Sequence, residues 1–256
     1  MTGVGRYRLL PLALCLAFSA AFAAAQSPAA DETGGDGEFA AQRARMVERI
    51  EDHARATSSR LLAPQISEPV LAAMGRLPRH EFVPPDIRDL AYLDRPLPIG
   101  YGQTISQPFI VALMSDLLVV APGDKVLEVG TGSAYQAAVL AEMGVEVYTI
   151  EIIPQLGERA AQRLDRLGYG EVGTRVGDGY FGWPEQAPFD GIVVTAAAGH
   201  VPPPLVEQLK PGGVMVVPVG GRFMVQQLML VAKDADGMVR TRQLLPVRFV
   251  PLTGDH

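Results

Sequence analysis

The sequence predicts an α/β protein with a mostly parallel sheet, helices on both faces and an antiparallel C-terminal edge. Two observations lead there. From Lys125 onward, short apolar runs alternate with helical patterns, which is how parallel strands joined by crossover helices read. The chain of 256 residues is 48% apolar and 20% charged, enough for a sizeable core and too apolar for global disorder. A single Cys rules out a disulfide framework. The net charge is −6 and no basic run exceeds two residues, so sequence-independent nucleic-acid binding has no electrostatic footprint.

The N-terminus reads as an address. Arg6 and Arg8 precede an uncharged run, Leu9 to Ala25, that ends Ala23-Ala24-Ala25. A basic start, an apolar middle and a small-residue end make residues 1–25 a cleavable signal peptide. The run is shorter than the ~20 apolar residues of a membrane span. Cys15 follows Leu14 rather than a small residue, which argues against lipidation. The expectation is export to the periplasm with no stable membrane insertion after cleavage, or a cytoplasmic protein if the segment is not used. Residues 26–37 (QSPAADETGGDG) read as a flexible linker. Residues 38–256 are expected to form one domain.

That domain opens with a charged helix, Phe39 to Ala56, and a short one, Glu68 to Met74, stopped by Gly75 and Pro78. The Pro- and Gly-punctuated stretch Pro84 to Gln103 reads as ordered loop. Gln107 to Val120 carries apolar residues at 109, 110, 113, 114, 117 and 118, a helical face. Strands follow at Lys125–Val129, Glu146–Ile150, Val172–Val176, Gly191–Thr195 and Val214–Val219. Helices are expected at Ser133–Met143, Pro154–Leu167 and Pro204–Leu209. Two last strands, Gln226–Ala232 and Leu244–Val250, flank the hairpin-like Asp234-Ala-Asp-Gly237 and supply the antiparallel edge.

The loop after the first of these strands carries the strongest signal. It reads Leu127-Glu128-Val129-Gly130-Thr131-Gly132-Ser133-Ala134-Tyr135. Gly130 and Gly132 let the backbone turn sharply and let a ligand approach the main chain. Thr131, Ser133 and Tyr135 complete the cradle, whose free N–H groups at the helix start can bind a polar end. The dinucleotide fingerprint needs a third Gly where Tyr135 stands, and there is no phosphate-binding G-x-x-x-x-G-K-[ST] motif. Glu128 beside the glycine turn suits a cation, such as the amino group of an amino-acid moiety. Glu151 lies 21 residues past Gly130, the spacing at which an acid takes a ribose diol. Gly177-Asp178-Gly179 follows the third strand, and Asp178 is placed to accept from an adenine amino group. Three acids at successive strand ends indicate S-adenosylmethionine.

Longer motifs agree. Pro96-Leu-Pro-Ile-Gly-Tyr-Gly-Gln-Thr-Ile-Ser-Gln-Pro108 resembles the signature of the protein-L-isoaspartate (D-aspartate) O-methyltransferases. So do Gly130–Ala138, Gly177–Gly179, Trp183–Asp190, Val194–Ala198 and Arg248–Leu252, and the resemblance spans about Met46 to Thr253. It implies the Rossmann-like S-adenosylmethionine-dependent methyltransferase fold. It also implies methyl transfer from that cofactor to the free α-carboxylate of L-isoaspartyl and D-aspartyl residues in damaged proteins. The methyl ester turns a poor leaving group into methoxide, the neighbouring backbone nitrogen closes a succinimide, and part of that reopens to normal Asp. The partners implied are isoaspartyl proteins and peptides, with the enzyme a monomer. Ala134 stands where the family usually has Gly, and its methyl fits if the local φ is negative.

By the same resemblance Gln103, Thr104 and Ile105 border the cofactor, and Ser106 aims the acceptor carboxylate. Ser106 also precedes Gln107-Pro108 and a helix, so it is a natural N-cap. The acceptor carboxylate, with a pKa near ~3.5, is already ionised near neutral pH. No general base is needed, so His53, His80, His200 and His256 are read as non-catalytic, and no metal site is expected. Two other readings stay open: a methyltransferase acting on another carboxylate or a small molecule, and a binding module that keeps the fold without turnover.

Overall fold

The structure, a computed structural model, describes residues 32–58, 65–221 and 224–255. Chain contacts separate residues 1–32 from residues 33–256, and everything below concerns the second unit. The expected signal peptide and the first part of the expected linker lie outside the described residues. The rest of that linker is helical: the first helix, α1, runs Glu32–Thr57. It starts earlier than the sequence suggests because packing further along, at Met46, Ile50 and Ala54, favours extension of the helix through weak formers.

After α2 (Glu68–Arg76) a 3-10 turn, Arg79–Phe82, precedes the expected loop, which itself holds a second one, Pro85–Leu90, and leads into a hairpin, β1 (Leu97–Gly100) and β2 (Gln103–Ile105). The hairpin was not expected, because strands of four and three residues show too few alternations to stand out. Its turn uses positive φ at Tyr101 and Gly102, the twist that tight hairpins favour. It delivers Gln103 to Ser106 towards the sheet and is followed by α3 (Pro108–Leu117).

The main sheet has seven strands: β3 (Lys125–Val129), β4 (Glu146–Glu151), β5 (Gly173–Val176), β6 (Phe189–Val194), β7 (Leu209–Val219), β8 (Gln226–Lys233) and β9 (Val239–Val247). Their order is β5-β4-β3-β6-β7-β8-β9. Five are parallel, while β8 and β9 pair antiparallel at one edge, as the sequence predicts. Helices α4 (Tyr135–Glu142), α5 (Pro154–Arg166) and α6 (Pro203–Gln208) cover the faces.

The alternation of side chains sorts two cores. Leu127, Val129, Ile192, Val194, Met215 and Val217 pack with Leu205 on one face. Val126, Val193 and Val216 pack on the other with residues of α1 to α5. Glu128 points to the same side as Val126, because side chains repeat every second residue. It therefore lies under α3 and α4, fully buried. The chain order reverses between β3 and β6, and such a switch point opens a crevice at the carboxyl ends of the strands.

Candidate functional site

The crevice lies where the fold places it. The glycine loop leaves β3 and is clamped on both sides. Gly130 and Thr131 donate their N–H groups to Ile150 O at the end of β4 (2.8 and 3.1 Å). On the other side the Thr195 hydroxyl, just past β6, donates to Gly130 O at 2.6 Å. Gly130 has φ +101°, and a Cβ there would stand 2.5 Å from Thr195 Oγ1. Both the dihedral and the space demand glycine.

Around this loop is a cleft with about 750 Å³ of empty space, its open mouth included. It collects nearly all the residues expected from sequence. Gln103, Thr104, Ile105 and Ser106 line it from the hairpin side. Glu128, Gly130, Thr131, Gly132, Ser133 and Tyr135 form its floor, and Glu151 and Gly179 complete it. Thr195, Gln136 and the C-terminal stretch Val250–Thr253 also line it; they fall in or beside segments that carry the family resemblance but were not among the expected cofactor residues. Beyond that, Thr195 was signalled only as the polar end of an apolar strand. The C-terminal strap is set by backbone pairing across the chain, Ala197 N–H to Val250 O and Leu252 N–H to Ala197 O (both 2.8 Å), which no local pattern encodes.

Asp178 itself is not among the residues that line the cleft, although its neighbour Gly179 is. The Asp178 carboxylate accepts from Tyr180 N–H (3.0 Å) and Asp255 N–H (3.1 Å). It caps the 3-10 turn Gly179–Phe181, a local use that the Gly-Asp-Gly spacing favours. Ala134 is a correction. Its φ is +68°, not negative, so the methyl sits in the left-handed region at a cost of ~1–2 kcal/mol. The residue is fully buried, and its N–H still closes the loop onto Thr131 O at 2.7 Å.

Ser106 resolves differently from the capping expectation. The N-cap of α3 is Gln107, without a side-chain cap. The first-turn donor Phe109 N–H is taken by Asp94 Oδ1 at 2.9 Å, and Gln107 Nε2 donates to Asp94 Oδ2 at 3.0 Å. A carboxylate from a distant loop caps the helix, so the Ser106 hydroxyl has no partner among the described residues and lines the cleft.

The two glutamates are not equivalent. Glu151 accepts from Gly132 N–H (2.7 Å) and Ile153 N–H (3.0 Å), which suits a carboxylate. Glu128 accepts from the Thr149 hydroxyl at 2.6 Å, and the Thr131 and Thr149 hydroxyls lie 2.7 Å apart. Its other oxygen, Oε1, is buried without a partner. Burial, opposed by the Thr149 hydrogen bond and aided by the charge of Glu151, pushes its pKa up to about 8. In the cofactor-free protein it is therefore mostly protonated near neutral pH.

None of the described histidines lines the cleft. His53 stacks on Phe109 and contacts Asp94 at 3.0 Å. His80 stacks on Phe39 and contacts the Tyr92 hydroxyl at 2.7 Å. His200 meets the Tyr180 hydroxyl at 3.1 Å, and His256 lies outside the described residues.

An orphaned buried carboxyl oxygen, a glycine turn closed to any Cβ and acid-lined strand ends fit a cationic, hydroxyl-rich ligand such as S-adenosylmethionine. Comparisons with known proteins point the same way. The family model described as Protein-L-isoaspartate(D-aspartate) O-methyltransferase (PCMT) matches residues 60–256. A protein-L-isoaspartate O-methyltransferase 2 of Syntrophobacter fumaroxidans is 60% identical over 248 residues, 97% of this chain and 96% of that protein. One from Polaromonas sp. is 64% identical over 211 residues, 82% of this chain and 100% of its own. A solved protein-L-isoaspartate O-methyltransferase superposes with TM-score 0.72 at 29% identity, over 83% of this chain and 66% of that one. A putative one from Plasmodium falciparum, solved with S-adenosyl-L-homocysteine, shares the fold at TM-score 0.65 and 22% identity, over 82% of this chain and 97% of its own.

Proposed function

The chain belongs to the protein-L-isoaspartate (D-aspartate) O-methyltransferase family, and on that premise we propose how its own residues carry out the repair methylation. It is an S-adenosylmethionine-dependent enzyme that esterifies the free α-carboxylate of isoaspartyl residues in damaged proteins. When bound, the cofactor supplies a sulfonium-activated methyl group. Glu128 takes its ammonium end, giving up a proton as the positive charge arrives. Glu151 accepts from the ribose hydroxyls, and the Gly130–Ser133 turn, whose first three N–H groups are taken by Ile150 O and Glu151, lets the ligand pack against its backbone.

Ser106 orients the acceptor. Its unpartnered hydroxyl donates to one carboxylate oxygen and turns the other towards the methyl position. No residue has to remove a proton, because the acceptor is ionised well above its pKa of ~3.5. The chain's contribution is placement, which can supply several kcal/mol when reacting atoms are held in line. The strap Val250–Thr253 limits water at the cleft. A neighbouring depression shares Thr104, Val250 and Pro251 with it and presents the exposed Met224 and Val225, room for the flanking peptide.

The observation that carries this reading is Ser106, free of capping duty and facing the same cleft as the glycine loop. Labelled-methyl transfer to an isoaspartyl peptide beside its aspartyl twin tests it. Labelling of the first alone supports the acceptor assignment, and equal labelling of both overturns it.

Export is part of the same proposal. Arg6, Arg8, the uncharged run to Ala25 and the Ala23–Ala25 end support a signal cleaved before Gln26. A mature N-terminus at Gln26 supports it, and an intact one at Met1 or Thr2 refutes it. Among the described residues no helix is long and apolar enough to cross a membrane. A monomer is proposed, with native mass as its check.

A further inference from the structure

Among the described residues Arg79 is one of the largest fully buried side chains, and nothing in the methyl-transfer scheme above uses it. A guanidinium does not give up its proton, and burying one is costly unless it is paired. Among the described residues Arg79 forms no ion pair. It is held by carbonyls instead: Nε donates to Ala91 O at 2.8 Å and Nη2 donates to Ser106 O at 2.6 Å. Its guanidinium carbon lies 4.5 Å over the ring of Tyr135. Tyr135 is the first residue of α4 and lines the cleft. Arg79 Nη1 and the Tyr135 hydroxyl are both buried without hydrogen-bond partners. One buried cation thus ties the backbone of the acceptor-orienting serine to the helix that ends the cofactor loop.

The surroundings sharpen this. Asp94 grips the residues just beyond, through Gln107 Nε2 and Phe109 N–H. The segment Ser106–Phe109 is therefore pinned by Arg79 on one side and Asp94 on the other, and the Ser106 hydroxyl is left to the cleft. A bond to the carbonyl of Ser106 fixes that residue's backbone, and so the direction of its hydroxyl, without occupying the hydroxyl itself. A hydrophobic side chain could fill the space but could not hold the carbonyl.

We propose that Arg79 is a positioning residue for methyl transfer: its guanidinium sets Ser106 relative to the cofactor loop by bonding the Ser106 carbonyl while resting on Tyr135. This rests on Ser106 being the residue that orients the acceptor. Misplacement of reacting groups by about 1 Å costs on the order of 10²-fold in rate, so loosening this tie is read in turnover before it is read in binding.

The test is a cycle of Arg79→Lys, Arg79→Gln, Ser106→Ala and the double variants, assayed with an isoaspartyl peptide. S-adenosylhomocysteine affinity and thermal unfolding are measured on the same preparations. The expected result is a kcat lowered at least tenfold in Arg79→Gln and less in Arg79→Lys. S-adenosylhomocysteine affinity and peptide KM then stay within about threefold, the pattern of a lost transition-state interaction. In the Ser106→Ala background the same Arg79 changes cost little, because they act through a hydroxyl already gone. Unchanged kcat in both Arg79 variants overturns the proposal. So does an equal fold-loss with and without Ser106, and so does failure of both variants to fold with S-adenosylhomocysteine present, which makes Arg79 a fold-bearing cation only. Ser106→Ala alone keeping wild-type turnover instead overturns the serine's role, and is separable because it involves no change at Arg79.

Discussion

Glu128→Gln is expected to stabilise the cofactor-free protein strongly at pH 8 and only slightly at pH 5. Burial holds the Glu128 carboxyl at about 8 against an ordinary 4.5. Between those values the native state keeps a proton that the unfolded chain has lost. Ionisation then favours unfolding, so the residue's penalty grows as pH rises through that window and is absent below it. At ~1.4 kcal/mol per pKa unit, the penalty integrates to about 4 kcal/mol at pH 8 and under ~1 kcal/mol at pH 5. The amide carries no such penalty and leaves one buried polar atom unpartnered, as the carboxyl does. All other titrating groups are common to both proteins and cancel in the difference. Urea unfolding at the two pH values reads the effect directly. For a chain of this size the midpoint on heating at pH 8 should rise by roughly 8–16 °C. A variant no more stable than wild type at pH 8, or a gain equal at both pH values, refutes the buried, protonated Glu128.

The remaining predictions are briefer. S-adenosylhomocysteine binding near pH 7 releases close to one proton in wild type and none in Glu128→Gln, read by calorimetry in buffers of different ionisation heat. Equal release in both removes Glu128 from the ammonium site. Ser106→Ala loses a hydrogen bond to a charged acceptor, ~1.5–3 kcal/mol, so kcat falls by roughly 10–100-fold with little change in cofactor affinity. A kcat within about threefold of wild type contradicts it. Gly130→Ala forces a methyl against Thr195 at φ +101° and is expected to cost at least ~2 kcal/mol of stability along with cofactor binding. A stable, cofactor-binding variant contradicts the tight turn. For Ala134→Gly, relief of ~1–2 kcal/mol of backbone strain is nearly cancelled by ~0.4–1 kcal/mol of chain entropy and a buried methyl worth ~0.8 kcal/mol. Its net change in denaturant unfolding stays within about 1 kcal/mol, and a larger one means that the strain or the packing is misjudged.

What the sequence made legible was local and periodic. The strand Lys125–Val129 has the same limits in sequence and structure, because a short β-branched and apolar stretch bounded by Asp124 and Gly130 has no competing reading. Gly130 and Glu151 were legible because the turn and the strand end impose residue type at fixed spacing. What it left hidden was set by distant partners. Only the competing cap reading of Ser106 falls away, because Asp94, twelve residues earlier in the chain, takes the Phe109 N–H. The Asp255 N–H, at the far end of the chain, donates to one oxygen of Asp178, a contact no local spacing announces. Arg79 carried no signal at all: a lone arginine in a Pro-rich stretch reads as surface, and only tertiary packing places it at zero exposure. The hairpin Leu97–Ile105 was missed because it is too short for an alternating pattern to accumulate.

The account turns on where two ligands lie relative to one loop. A crystal structure of this chain with S-adenosylhomocysteine and an isoaspartyl peptide decides that. The account predicts the ammonium group at Glu128, the ribose hydroxyls at Glu151 and the isoaspartyl α-carboxylate on the Ser106 hydroxyl. The nucleoside seated away from the Gly130–Ser133 turn, or the carboxylate held by other groups with Ser106 turned aside, would contradict it.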